Sequence, residues 1–427
     1  MENKKISTEA YKGTRDFYPE DLAVQNFIFD KMRKTAESFG YEEYGASILE
    51  SSDLYKAKSG EEIVNEQTYT FEDKGGREVT LRPEMTPTLA RMVAKRKREL
   101  NFPLRWFSIQ NFFRYERPQK GRLREFWQLN ADIFGVKGIE AEVEIISLGY
   151  EIMKSLGAKD KDFVIKINYT GILARLICKT IKEDDKDKII ATIKIIDRFG
   201  KIPEEDFNNR LNKILGEEKA EILKEKLNNG EMEVLAKQDK CFDEYRELKD
   251  KLSLKNINNI KFDSNLTRGF DYYTGIIFEF FDTNPENNRS LFGGGRYDDL
   301  LDIFGEEKIP AVGFGMGDVT TKDFLESRGL LKEYQSKTQL YICTLDKEYL
   351  DYANKLAQDL RNEGLNIAVD YSDKKVGDQI TKADKKSIPF VICIGEDEQK
   401  TNKFKLKNLK TGEEIESLKE DLIENIT

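Results

Sequence analysis

The sequence predicts a chain of mixed α and β structure in two parts. A long N-terminal part is built on antiparallel strand pairs and broken by a helical insertion, and a small α/β part follows. Three observations predict this. Apolar runs joined by short polar turns recur between residues 68 and 134, Lys/Glu-rich helical periodicity fills residues 171 to 255, and strand and helix patterns alternate from 338 onward. At 427 residues the chain is also too long for one ordinary core, so two or three domains are expected.

Residues 21 to 39 carry helical spacing in Leu22, Phe27, Ile28 and Met32 and stop at Gly40, a common helix terminator. In TYTFEDKGGREVTLRPE, two alternating runs flank Asp-Lys-Gly-Gly and read as a β-hairpin. Pro87 suits the first turn of a helix through Val93. LRWFSIQNFFRYE and FWQLNADIFG read as a second strand pair around the basic loop RPQKGRLRE; a helix over 141–156 and a strand at DFVIKINY follow. After the insertion, strands resume at NIKFDSNLTRGFDYYTGIIFEFF, and LFGGGRYDDLL and AVGFGMGDVTTKDFLESRGLL are glycine-rich approaches to helices. The polar stretch KEYQSKTQ reads as a linker. Beyond it, strand LYICTL, helix 347–363, strand LNIAVDY, helix 374–386 and strand IPFVICIG read as a βαβαβ unit with a largely parallel sheet.

Composition narrows the chemistry. With 39% hydrophobic and 35% charged residues the chain reads as a soluble globular protein. The N-terminus lacks an apolar signal region and no window approaches the roughly 18 apolar residues of a membrane span, so a cytoplasmic protein with no membrane partner is expected. Four widely spaced cysteines and no histidine speak against a disulfide framework or a protein-held metal. The missing histidine also excludes Ser-His, Cys-His and His-metal mechanisms, leaving arginine, carboxylate and tyrosine chemistry. A net charge of −9 opposes indiscriminate nucleic-acid binding but leaves room for basic patches at Lys95–Arg98 and from Arg114 through Arg124.

Five elements then occur in order: LRPEMTP, FRYERPQKGRLREFWQLNADIFG, RGFDYYTG, GGGRYDDL and the C-terminal α/β part. Together they resemble the class II aminoacyl-tRNA synthetases, and within them the histidyl-tRNA synthetase family, over most of the chain from KGTRDFYPED to FKLKNLKTGE. The resemblance implies a class II fold, an α+β catalytic domain with a mixed, mostly antiparallel sheet. It places that core at 1–330 with the helical insertion at about 171–255, a linker at 331–337 and an α/β anticodon-binding domain at 338–427. The implied activity joins histidine to tRNA(His) through histidyl-adenylate, with ATP consumed, Mg²⁺ bound with that ATP, and a homodimer as the working form.

By the same resemblance, Arg114 and Arg268 are the catalytic cations, Arg114 on the α-phosphate and Arg268 bridging that phosphate and the histidine carboxylate. Glu116 faces the adenine, Phe126 stacks on it and Arg122 meets the γ-phosphate. Glu84 and Thr86 hold the α-amino group, Gln128 lies near the carboxylate, and Asp132 with Tyr272 and Tyr273 completes the histidine pocket. The elementary chemistry agrees. Attack of a carboxylate on a phosphate builds negative charge that positioned cations stabilise, and a neutral imidazole needs both a donor and an acceptor.

Three positions depart from the family pattern. Asp132 stands where glutamate is usual, so a bridging water or a shifted strand is the expected compensation; Thr320 stands where a third-motif arginine is usual, with Arg122 or Arg328 as substitutes; and Ser47 replaces an interface proline. These keep a second function class open, a catalytically degenerate paralogue acting as a histidine-sensing regulatory subunit. A synthetase for another amino acid, such as threonine or proline, is opposed by RGFDYYTG. Plainer readings also exist. Arg268 alone would suit a salt bridge to Asp271, Gly293–Gly295 a turn or bulge, and Lys95–Arg98 a solvated helix end as readily as a tRNA contact. Lys403, Lys405 and Lys407 share one face and read first as protection for an edge strand. With no histidine in the chain, a titration near neutral pH would have to come from a perturbed carboxylate such as Glu84 or Asp132.

Overall fold

The computed structural model describes residues 6–56, 67–196, 199, 202–266, 272–287, 290–331 and 333–426. Two compact units divide the chain, Met1–Leu331 and Lys332–Thr427.

The first unit opens with α1 (Pro19–Ser38), followed by β1 (Glu42–Glu43), β2 (Leu49–Ser51) and α2 (Ser52–Lys56). β3 (Tyr69–Glu72) and β4 (Glu78–Leu81) form the expected hairpin. Asp73 Oδ1 accepts from the Gly75 and Arg77 amides at 2.8 and 3.0 Å, and Gly76 takes a φ of +76° that glycine adopts freely. With β2 they make a small sheet in the order β2-β4-β3. α3 (Thr86–Arg96) carries Pro87 in its first turn, where a missing amide costs nothing.

The main sheet combines β1 with β5 (Leu104–Phe113), β6 (Glu125–Phe134), β7 (Phe163–Tyr169), β8 (Ile260–Phe262), β9 (Ile276–Asp282), β10 (Ser290–Arg296) and β11 (Ala311–Gly317), in the order β1-β5-β6-β11-β10-β9-β7-β8. The inner pairs are antiparallel and the two edge strands, β1 and β8, join in parallel, which is the mixed, mostly antiparallel sheet that was expected. α4 (Glu140–Ser155) leads into β7. The insertion then supplies α5 to α10 (Ile172–Ile181, Lys186–Ile196, Glu204–Leu215, Glu217–Asn228, Glu231–Ala236 and Cys241–Ser253), and α11 (Asp318–Ser327) follows β11. The insertion's apolar stripes, with Leu176, Leu211, Leu223 and Leu248 buried, continue the core of the sheet.

Period-two geometry sends alternate residues of each strand to opposite faces. Leu129, Ala131 and Ile133 of β6 share a core with Ile28 and Met32 of α1, Ile145 and Ile152 of α4, and Phe324 of α11. Phe134 lies with Leu89, Ala90 and Val93 of α3 in a second cluster on the opposite face. Gln128, Asn130 and Asp132 belong to that second face by the same alternation.

Two features lock β10 in the middle of the sheet. The turn considered for Gly293–Gly295 is not formed: these residues pair on both sides, and the irregularity is a bulge between Ser290 and Phe292. A Cβ on Gly294 would lie 1.9 Å from the Gly313 carbonyl oxygen, so close backbone approach is what demands glycine there. Next to it, Arg296 makes a two-pronged ion pair with Glu142 of α4, both contacts at 2.6 Å, and donates to the Val136 and Gly138 carbonyls at 3.2 and 3.1 Å. Glu142 is 2% and Arg296 9% exposed, so the pair is held away from water.

In the second unit, β12 (Leu340–Thr344), α12 (Leu350–Asn362), β13 (Ile367–Val369), α13 (Val376–Lys385) and β14 (Phe390–Ile394) form the expected βαβαβ core with β13-β12-β14 parallel. The sheet is less parallel than expected. After α14 (Glu396–Thr401), β15 (Lys403–Asn408) and β16 (Glu414–Leu418) extend it as an antiparallel hairpin, and α15 (Leu422–Ile426) ends the unit. Lys403, Lys405 and Lys407 do alternate with buried Phe404 and Leu406, but β15 lies between β14 and β16 and is not an edge. Lys403 and Lys407 instead make cross-strand ion pairs with Glu416 and Glu414 at 3.1 and 2.8 Å.

The buried and exposed ion pairs predict different costs. Glu142→Ala leaves the Arg296 guanidinium without its carboxylate, and a loss of about 3–5 kcal/mol is expected. Glu43→Ala, which removes the exposed partner of Arg33, should cost under about 1 kcal/mol. Urea unfolding of the two variants checks this, and equal costs would show that the Arg296 pair is not structural.

Candidate active site

The cavity on the second face of the sheet is assembled from three places. Behind β4, Arg82 is 3% exposed and fixes the chain by donating from Nε to the Asn111 carbonyl and from Nη1 to the Ala46 carbonyl, each at 2.9 Å. This sets the following loop, so that Glu84 and Thr86 lie at the start of α3, where the helix dipole favours a carboxylate. Glu84 is 3% exposed and accepts from the Tyr272 hydroxyl at 3.0 Å, which also reaches Thr86 Oγ1 at 3.4 Å. Burial raises the Tyr272 phenol well above its ordinary pKa, so it stays a donor.

The second place is β6. Gln128, Asn130 and Asp132 rise from it in a row, and Gln128 Nε2 donates to Asn130 Oδ1 at 2.9 Å. The facing strand leaves them room: β11 pairs Gly313 with Asp132 and Gly315 with Asn130, and a Cβ on those glycines would stand 1.9 Å from Asp132 Oδ1 and 2.1 Å from Gln128 Nε2. Asp132 accepts from the Tyr297 hydroxyl at 2.5 Å, and its burial raises the carboxyl pKa to about 7 against that hydrogen bond. Tyr297 packs edge-on to Phe134 and against Tyr272, whose ring centre lies 4.9 Å from that of Tyr273.

The third place is the end of β5. Arg114 Nε donates to the Pro83 carbonyl at 2.9 Å, and the guanidinium stands 5.2 Å over the Phe126 ring. Desolvation draws its pKa down, with the charges of Glu84 and Glu116 acting the other way. In the loop beyond, Glu116 pairs with Arg122 at 3.1 Å.

Glu84, Thr86, Arg114, Gln128, Asp132, Tyr272 and Tyr273 therefore line one cavity of about 130 Å³. Glu116, Arg122 and Phe126 stand outside its lining, and Arg268 lies outside the described residues. A larger groove of about 670 Å³ beside Phe39, Arg105 and Leu254 gathers charged pairs such as Arg105–Glu144 and offers no comparable convergence of donors and acceptors. Sequence reasoning missed Asn130 and Tyr297. The resemblance singled out Gln128 and Asp132, and strand alternation between them points to Asn130, whereas only the register of β10 with β11 brings Tyr297 to Asp132. Gly313 and Gly315 supply backbone to the cavity lining.

The departures have local accounts. Thr320 sits in the first turn of α11 and donates to the Leu291 carbonyl at 2.8 Å. Arg328 is not its substitute: it lies eight residues on, about 12 Å along the helix axis, and binds Asp162, Asp282 and Thr283. Ser47 caps its own turn, accepting from the Leu49 amide at 3.2 Å.

The profile of the histidyl-tRNA synthetase family matches residues 13–318, and that of an anticodon-binding domain matches 339–427. A histidine–tRNA ligase of Leptospira biflexa is 41% identical over 442 aligned positions, spanning 99% of this chain and all of the relative, and one of Thermoplasma volcanium is 37% identical over 96% of each chain. Among solved structures, the apo histidyl-tRNA synthetase of S. aureus superposes with a TM-score of 0.73 at 25% identity over 99% of this chain and 100% of that one. The Nostoc enzyme shares the fold at a TM-score of 0.79 and 24% identity, over 99% of both chains. Full-length similarity to ligases, together with the anticodon-binding match, disfavours the regulatory alternative. With a site that gathers carboxylates, tyrosines and an arginine on one face of this sheet, and relatives that match it from end to end, the chain belongs to the histidyl-tRNA synthetase family, the histidine–tRNA ligases.

Proposed function

We propose that the cavity binds histidine, that Arg114, Glu116, Arg122 and Phe126 bind ATP beside it, and that histidyl-adenylate formed there is transferred to the 3′ end of tRNA(His). The observation that carries this reading is the convergence of Glu84, Asp132, Tyr272, Tyr273 and Arg114 on one small cavity. Glu84 and Thr86, steadied by Tyr272, suit the α-ammonium. Asp132 and Tyr273 suit the imidazole, and Gln128 the carboxylate side. Tyr297 fills the shorter reach of Asp132 from behind, donating to the oxygen that would otherwise be orphaned in the wall.

Activation then needs no histidine base. The substrate carboxylate attacks the α-phosphorus, the bond to the β-phosphate oxygen breaks, and pyrophosphate leaves while Arg114 and Arg268 meet the charge on the phosphoryl oxygens. Arg122 must exchange Glu116 for phosphate to serve as a γ-phosphate contact. Mg²⁺ is proposed to enter on the ATP phosphates: among the described residues no three carboxylate or thiol side chains gather into an ion site of their own. The second unit is proposed to contact the anticodon stem, and a homodimer is proposed on family membership. A cytoplasmic setting goes with this reading. Among the described residues no helix is long and apolar enough to cross a membrane.

Pyrophosphate exchange measured with each of the twenty amino acids tests the assignment, and exchange with histidine alone is expected. Arg114→Ala and Arg268→Ala should each slow it by about 10² to 10³ fold, the scale for one preorganised transition-state donor. Folded variants exchanging at the parent rate would sink the assigned roles.

The carboxyl of Asp132 supplies a pH test. Below about 7 it is protonated and has lost its acceptor charge; above, it accepts the imidazole N–H. The kcat/KM for histidine should therefore rise through pH 7, the rise should persist with an analogue whose ring does not titrate there, and Asp132→Asn should abolish it. A rise that vanishes with the analogue would belong to the substrate alone. The same burial has an opposite effect on stability: folded Asp132 holds its proton where the unfolded chain has lost it, so its contribution declines from about pH 4 to 7.

Removing residues 332–427 should leave pyrophosphate exchange within a few fold of the full chain while charging of tRNA falls steeply, since all proposed activation residues lie in the first unit. Loss of exchange in a soluble, folded truncation would contradict that division.

A further inference from the structure

Two of the four cysteines meet in the second unit, where the proposed chemistry uses neither. Cys343 of β12 and Cys393 of β14 are paired directly in a parallel register. Alternation puts both on one face of the sheet: they share a cluster with Tyr341 and Val391 beneath Ala383 of α13, whereas Ile342, Ile392 and Ile394 pack into the cluster on the other face. Neighbouring strands lie about 4.8 Å apart, inside the Cα separation of about 4.4 to 6.8 Å that a disulfide spans. Cys343 is fully buried and Cys393 partly open, so an oxidant has access to one sulfur only.

We propose that Cys343 and Cys393 form a reversible redox site, in which a peroxide oxidises Cys393 and Cys343 resolves it as a disulfide across the two central strands. The Cys393 thiolate attacks one peroxide oxygen and the O–O bond breaks, leaving a sulfenic acid and hydroxide. The Cys343 thiol then attacks the sulfenic sulfur, the S–O bond breaks and water leaves. With hydrogen peroxide the sum is two thiols plus one peroxide giving one disulfide and two waters. The thiols are oxidised and the peroxide is reduced. The neighbouring Cys343 side chain lowers the pKa of Cys393, which favours it as the attacking group. Both cysteines stand as free thiols on paired strands, so a bond formed between them should be readily reduced, as befits a switch and not a structural staple.

The full chain, treated with hydrogen peroxide and quenched with catalase, should lose two of its four thiols, and digestion without reductant should yield one linked peptide pair containing Cys343 and Cys393 that dithiothreitol separates. Cys343→Ser should lose that pair entirely and carry Cys393 onward to sulfinic acid; because serine nearly matches cysteine in size, a folded variant is expected, and circular dichroism checks it. The proposal is overturned if Cys393 in the parent reaches sulfinic acid while Cys343 remains a thiol, or if Cys178 or Cys241 is oxidised with both members of the pair intact.

Discussion

Everything at the proposed site depends on the register of β6 between β5 and β11. Because side chains alternate strictly along a strand, one pairing places Leu129, Ala131 and Ile133 in the helical core and Gln128, Asn130 and Asp132 in the cavity. A slip of one residue would bury three polar side chains against α1 and α4 and turn three apolar ones into the site. The opposing strand enforces the choice. Only glycine at 313 and 315 leaves space for Asp132 and Gln128, and any side chain there would strike them. Apolar burial thus aims the polar set, and the glycines make its aim sterically feasible.

The electrostatics of the cavity follow from that burial. A carboxyl group withdrawn from water resists ionisation, and the two acidic residues are supported differently. Glu84 lies at the start of a helix and accepts from a tyrosine whose own ionisation is suppressed. Asp132 has one hydroxyl donor, and its pKa stays near neutrality despite it. A chain without histidine thereby contains a group that titrates in the histidine range. Arg114 stands in the same partly dry surroundings, where its charge would act more strongly on the proposed phosphoryl anion than it would in water.

Charge pairing also separates construction from chemistry. The buried Arg296–Glu142 pair and the Arg82 contacts to carbonyls hold strands, helix and loop in place. Arg328, which the sequence offered as a phosphate contact in place of Thr320, belongs to this class because Asp162 and Asp282 meet it at the far end of α11. Composition cannot distinguish these arginines, since each is the same side chain and its role depends on which carboxylates the fold brings near it.

Local signals made much of the architecture legible. Turn chemistry at Asp73–Gly76, proline at the start of α3 and alternating strand patterns are short-range constraints, and their elements formed as expected. The ordered motifs likewise indicated Glu84, Thr86, Arg114, Gln128, Asp132, Tyr272 and Tyr273, which the fold gathers in one cavity. The rest depended on partners distant in the chain. Whether Gly293–Gly295 turn or continue a strand, whether Lys403–Lys407 lie at an edge, and which hydroxyl reaches Asp132 are decided by strand order, because hydrogen-bonding neighbours in a sheet are set by packing across the whole unit. The sequence by itself determined the elements and the family's chemical vocabulary, since both rest on residues near one another in the chain; only the tertiary structure decided that Tyr297 stands behind Asp132 and that glycines open the space between them, because those contacts join residues more than 150 positions apart.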